Sequence, residues 1–153
     1  MTTAPAVGAT TEGGLAQATD SGVDHMMLDV GEVRLHVTSL GEGRPVVLLH
    51  GFPEYWWSWR FQMPALAKAG FRAVAPDMRG YNSSDKPPRV ADYAIEKLVA
   101  DVKGLVRALG VEKVDLVAHD WGGAVAWSVA AMEPDVVDRL VVMNCPHPTL
   151  FAR

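Results

Sequence analysis

Residues 114–123 read Val-Asp-Leu-Val-Ala-His-Asp-Trp-Gly-Gly, and few folds can accommodate them. The spacing predicts a short buried strand over 114–117. It is followed at once by a helix, because Ala124, Val125, Ser128, Val129 and Met132 recur at helical intervals. A strand that turns straight into a helix brings the two backbones nearly into contact. Ala118, Gly122 and Gly123 supply the small side chains that this contact needs. The central residue, Asp120, is thereby thrust out at the carboxyl end of the sheet, where open α/β folds hold their ligands. The pattern is that of a nucleophile elbow, with Asp where Ser is more familiar. An ionised carboxylate needs no base to attack a saturated carbon, and the product is an alkyl ester on the protein. Water must then attack the ester carbonyl, whose oxygen becomes an anion that requires hydrogen-bond donors. The backbone N–H of Trp121 is one expected donor. Taken alone, Asp-Trp-Gly-Gly serves equally well as a helix start, since Asp is among the best N-caps.

The preceding chain narrows the choice. Residues 26–30 and 33–40 read as two strands of a hairpin turning at Gly31-Glu32. Val46, Val47, Leu48 and Leu49 form an unbroken apolar run, the mark of a parallel strand covered on both faces. That strand delivers His50-Gly51-Phe52-Pro53-Glu54. The loop after this strand supplies an oxyanion donor in such architectures, so the Phe52 N–H is the expected second donor. His50 is read as a structural histidine that hydrogen-bonds the loop rather than as a base. Tyr55, Trp56, Trp57 and Trp59 follow, and Trp56 is the one assigned to an apolar substrate site. A helix is expected over 57–69, closed by Gly70, then a strand over 71–75. Residues 76–88 form a loop dense in turn residues, in which Asp77 and Arg79 are expected to brace the backbone as a charged pair. Ile95, Leu98, Val99, Val102, Leu105, Val106 and Leu109 fall on one helical stripe that Gly110 ends. The elbow helix stops near Pro134, and a last strand covers 140–143.

Composition excludes several function classes. The net charge is −4 with no basic run, so neither nucleic acid nor an anionic membrane is an expected partner. No apolar run approaches the ~18 residues of a membrane span. The single cysteine, Cys145, permits no internal disulfide and no metal pattern, and suits a reducing cytoplasm; its expected role is small apolar packing. Residues 1–24 are rich in Ala, Thr and Gly without Lys or Arg, and are read as a disordered tail rather than a signal or transit peptide.

In order and spacing, His-Gly-Phe-Pro-Glu at 50–54, the Asp-x-Arg-Gly-Tyr loop from Asp77 that ends in Ser-Asp-Lys-Pro, and His-Asp-Trp-Gly-Gly at 119–123 resemble the epoxide hydrolases of the α/β-hydrolase fold. The resemblance covers about residues 25–150. It implies a doubly wound, mostly parallel α/β sheet of about six strands, with a core over residues 25–145. It also implies a small apolar epoxide as substrate, opened to a diol through an ester on Asp120, with Phe52 and Trp121 as backbone donors and no cofactor or metal. A cis peptide before Pro53 is expected on the same grounds. Haloalkane dehalogenases share the Asp-Trp elbow but usually place a polar or acidic residue where Phe52 stands. Fluoroacetate-type dehalogenases carry an Arg-rich pattern that this chain lacks. Asn82 occupies a position commonly Gly, and Ala94 one where Ser or Thr commonly caps the next helix, leaving Asp92 as the alternative cap. The resemblance places the family's histidine, its supporting acid and the tyrosine-bearing cap beyond these residues, with 146–153 at the cap entrance and His147 no substitute base. A catalytically silent remnant is the competing expectation for the chain by itself.

Overall fold

The computed structural model describes residues 22–151. The expected tail lies outside them as far as residue 21, and its last expected residue, Asp24, instead opens the first strand. Six strands form one sheet: β1 (Asp24–Asp29), β2 (Arg34–Leu40), β3 (Arg44–Leu49), β4 (Phe71–Pro76), β5 (Val114–His119) and β6 (Val137–Met143). Their order across the sheet is β1-β2-β4-β3-β5-β6. The β1–β2 and β2–β4 pairings are antiparallel, whereas β4–β3, β3–β5 and β5–β6 are parallel.

Helices cover both faces, as the apolar run in β3 requires. Val47 and Leu49 face one core together with α2 (Ile95–Ala108) and α3 (Trp121–Met132). Val46 and Leu48 face a second core with Trp56, Trp59 and Met63, the last in α1 (Gln62–Lys68). Period-two alternation therefore buries Val46 to Leu49 on alternating sides, while Arg44 at the strand start stays exposed. The stripe of α2 is core as expected, with Leu105 fully buried. A short helix, α4 (Pro148–Phe151), ends the described chain.

Three local expectations are corrected. The helix over 57–69 is two pieces, a 3₁₀ turn at Trp56–Trp59 and α1 from Gln62. Pro64 explains the break: it has no N–H to bond the preceding turn and is tolerated only within a helix's first turn. Ala94 makes no cap on α2, and Asp92 does not replace it, because its carboxylate turns back to Arg89 at 2.8 Å. Asp77 and Arg79 do brace the loop, but not as a pair. Arg79 grips Asp101 of α2 through two bonds of 2.6 Å, and Asp77 holds His36 at 2.7 Å.

Candidate active site

Asp120 stands between the end of β5 and the first residue of α3, with φ 51° and ψ −120°. Side chains other than glycine avoid this region, and a conformation of this kind costs of order 1–3 kcal/mol. It persists because the surroundings leave no other path. A Cβ on Gly122 would lie 2.6 Å from the carbonyl oxygens of Leu49 and His50, so α3 starts against the backbone of β3. A Cβ on Gly51 would lie 2.8 Å from Asp120 Cβ. Gly122 is thus required by backbone contact, and Gly51 and Gly123 by side chains, the latter by Val142 and Cys145.

Although Asp120 occupies the N-cap position, its side chain makes no capping hydrogen bond. Its Oδ1 instead accepts the N–H of Phe52 at 2.9 Å, from the loop after β3. The Phe52 N–H, then the Trp121 N–H, hold the carboxyl below the usual carboxylate range. The carboxylate is therefore influenced by backbone donors on two different elements, with Oδ1 accepting the Phe52 N–H. The peptide between Phe52 and Pro53 is cis. His50 is structural: Nδ1 bonds the Gly51 carbonyl at 2.9 Å and Nε2 accepts the Met78 N–H at 3.0 Å. Glu54 accepts the Gly51 N–H at 2.9 Å, and its carboxylate lies 3.5 Å from His119 Nδ1, which ties the loop to the elbow.

A cavity of about 660 Å³ opens above Asp120, lined by Phe52, Tyr81, Trp121, Ala124, Asn144 and Cys145. Burial and the Asp120 charge push the Tyr81 hydroxyl and the Cys145 thiol up. Phe52 and Trp121 are exposed there, at 71% and 41%. Trp56 is not part of this site. It is buried in the second core, its ring edge-on to His25 and Trp57, and its backbone N–H donates to Asp77. Tyr81, Asn144 and Cys145 were not foreseen as lining residues. Asn144 and Cys145 follow from register, since parallel pairing of His119 with Met143 sets the two strand ends side by side. Nothing local in the sequence marks Tyr81. Its ring is positioned by His50, 4.8 Å away between centroids. His147 packs on Trp127 and does not line the cavity; among the described residues no histidine does.

The comparisons with known proteins agree with this fold. The family model described as "alpha/beta hydrolase fold" matches residues 44–152, well over half the chain. This chain belongs to the alpha/beta hydrolase fold family. Within that family it is 44% identical over 134 residues to epoxide hydrolase 1 of Caenorhabditis elegans, covering 86% of this chain and 33% of that protein. It is also 44% identical over 129 residues to the AB hydrolase superfamily protein YfhM of Bacillus subtilis, covering 83% of this chain and 45% of that protein. The crystal structure of epoxide hydrolase VrEH1 from Vigna radiata superposes with a TM-score of 0.82 at 42% identity, over 84% of this chain and 42% of that one. The chain thus spans about a third to just under half the length of these relatives. Among the described residues of this alpha/beta hydrolase, no helix is long and apolar enough to cross a membrane.

Proposed function

We propose that Asp120 is the nucleophile of an epoxide hydrolase reaction, with the Phe52 and Trp121 N–H groups as its oxyanion hole and Phe52 and Trp121 side chains against the substrate. The observation that carries this reading is the Phe52 N–H donating to Asp120 Oδ1 at 2.9 Å across from the loop after β3. With Oδ1 engaged there, Oδ2 attacks a ring carbon of a small apolar epoxide. The new C–O bond to Oδ2 forms as the ring C–O bond breaks, and the ring oxygen takes the electron pair and a proton. Water then adds to the Asp120 acyl carbon, and the negative charge develops on Oδ1, the oxygen that accepts the Phe52 N–H, with the Trp121 N–H as the second proposed donor. Collapse of that intermediate expels the alkoxide of the diol and regenerates the carboxylate. The proton donor to the ring oxygen and the base for water are assigned to groups outside the residues described here, in keeping with the relatives' greater length. The aromatic and apolar lining fits an apolar substituent on the epoxide.

The test is a single turnover of an aryl epoxide in ¹⁸O-labelled water by the protein that carries this chain. Label should enter the Asp120 carboxylate, because water attacks the acyl carbon. Label found only in the diol would mean direct attack of water on the epoxide and would overturn the covalent route. Asp120→Asn should abolish turnover.

A further inference from the structure

Asp120 has a counterpart at the end of the neighbouring strand. Parallel pairing sets His119 of β5 opposite Met143 of β6, and the Asp120 N–H extends it by donating to the Met143 carbonyl at 3.1 Å. Asn144, the residue after β6, therefore stands beside Asp120, the residue after β5, at a strand spacing of about 4.8 Å. Both line the cavity, and both have positive φ, 56° at Asn144 and 51° at Asp120. Asn enters this region more readily than most residues when its side chain bonds the local backbone. Here the carboxamide has no hydrogen-bond partner among the described residues, and the residue is exposed. Its flanks are fixed all the same. The Trp127 indole N–H holds the Cys145 carbonyl at 3.1 Å, and a Cβ on Gly123 would lie 2.6 Å from Cys145 Cβ and 2.8 Å from Val142 Cγ1. An unpaired polar group held in a sparsely populated conformation beside a reactive carboxylate points to a function.

Position decides what the carboxamide can bind. The strand order β3-β5-β6 puts Asp120 between the Phe52 loop and Asn144, so the oxyanion donor and the amide flank it on opposite sides. In-line attack by Oδ2 drives the departing epoxide oxygen to the far side of the attacked carbon, up in the cavity. A short side chain at the strand ends does not reach that oxygen. It stands level with the Asp120 acyl carbon, where water attacks in the second step. We propose that Asn144 binds the water that hydrolyses the Asp120 ester, a role that rests on the ester route above. The carboxamide oxygen accepts one water proton, which turns a water lone pair toward the acyl carbon. As the new C–O bond forms, the carbonyl pair moves to Oδ1 and the other water proton passes to the base outside the described residues. Collapse then breaks the bond from the acyl carbon to Oδ2, as in the unassisted scheme.

The experiment is rapid-quench kinetics on the protein that carries this chain, with an aryl epoxide as probe and the ester on the Asp120 peptide followed by mass spectrometry. Asn144→Gly deletes the carboxamide while accepting the positive φ without strain. It should slow ester hydrolysis roughly ten- to hundredfold, far more than it slows ester formation, so that the ester accumulates. Asn144→Asp keeps an acceptor oxygen on a residue that also tolerates this backbone, and should hydrolyse the ester faster than the Gly variant. A residue that served only the turn would leave hydrolysis unchanged in Asn144→Gly, and that result would overturn the role. Equal slowing of both steps, or an Asp variant as slow as the Gly variant, would overturn it too. In each of these cases the ester still forms and the covalent route stands. An unsubstituted protein that turns over the epoxide without ever carrying an ester on Asp120 would instead overturn that route, and this role with it.

Discussion

At Asp120, the conformation that exposes the carboxylate is one that L side chains resist, and only the surrounding contacts enforce it. Replacing Asp120 with Gly and with Ala removes the same hydrogen bonds, but only Gly relieves the positive φ. The Gly variant should therefore be more stable than the Ala variant by about 1–2 kcal/mol, measured as the difference in urea midpoints. Equal midpoints would show the elbow to be unstrained. The charge has its own signature. Because the folded carboxyl titrates below its unfolded value, the Phe52 and Trp121 N–H groups favour the ionised form. Their contribution to stability is present above the unfolded value of about 3.9 and is lost as pH falls through the lower folded value. A ¹³C titration of the Asp120 carboxyl should place its midpoint below that of an ordinary aspartate, so the proposed nucleophile stays ionised throughout the neutral range.

Among the elements, the loop after β4 is held by a buried ion pair to α2 in addition to its own turns. Arg79 is 2% exposed, bonds both oxygens of Asp101 and also donates to the Asp92 carbonyl. Burial pushes the Asp101 carboxyl up, and the guanidinium opposes that shift. Removing one partner strands the other charge, so Arg79→Met should cost about 3–5 kcal/mol. Adding Asp101→Leu should recover most of the loss; a double variant as unstable as the single one would mean that the hydrogen bond to Asp92 matters more. The same loop carries Tyr81, so the single variant should also disturb the cavity. In α2, Gly104 inverts a familiar rule. Ala normally improves a helix interior by about 1 kcal/mol over Gly, yet a Cβ here would run into the Val30 carbonyl oxygen of the hairpin. Gly104→Ala should destabilise by roughly 1–3 kcal/mol in a thermal or urea melt.

For the molecule as a whole, the sheet of the described residues ends on β6, with Val141 and Met143 exposed at 51% and 38%. An apolar strand at a sheet edge templates pairing with other chains. Expressed by itself, the 153-residue chain is expected to self-associate. Val141→Lys should shift it toward monomer on size-exclusion chromatography without altering the Asp120 carboxyl titration. A monodisperse unsubstituted chain would refute this. Residues 22–151 otherwise hold two separate cores joined through β3, whose side chains divide evenly between them.

Much of this was legible in the amino-acid sequence, because the determinants are local. The apolar run of β3, the stripe of α2 and the closing Gly70 and Gly110, both with positive φ, each act within a few residues. Steric contact at Gly122 and Gly123 likewise made the elbow readable, and the sheet topology it implied brought the Phe52 N–H to Asp120. Side-chain direction was decided elsewhere. Trp56 and Tyr81 are both large aromatics outside the sheet and main helices, but the Trp56 ring packs into the second core, while the Tyr81 ring lies against His50 and lines the cavity. The partners of Asp77 and Arg79 come from β2 and α2, far along the chain. Periodicity and turn chemistry fix the backbone from short-range sterics; which face a loop side chain seeks depends on charges and surfaces that only folding brings near.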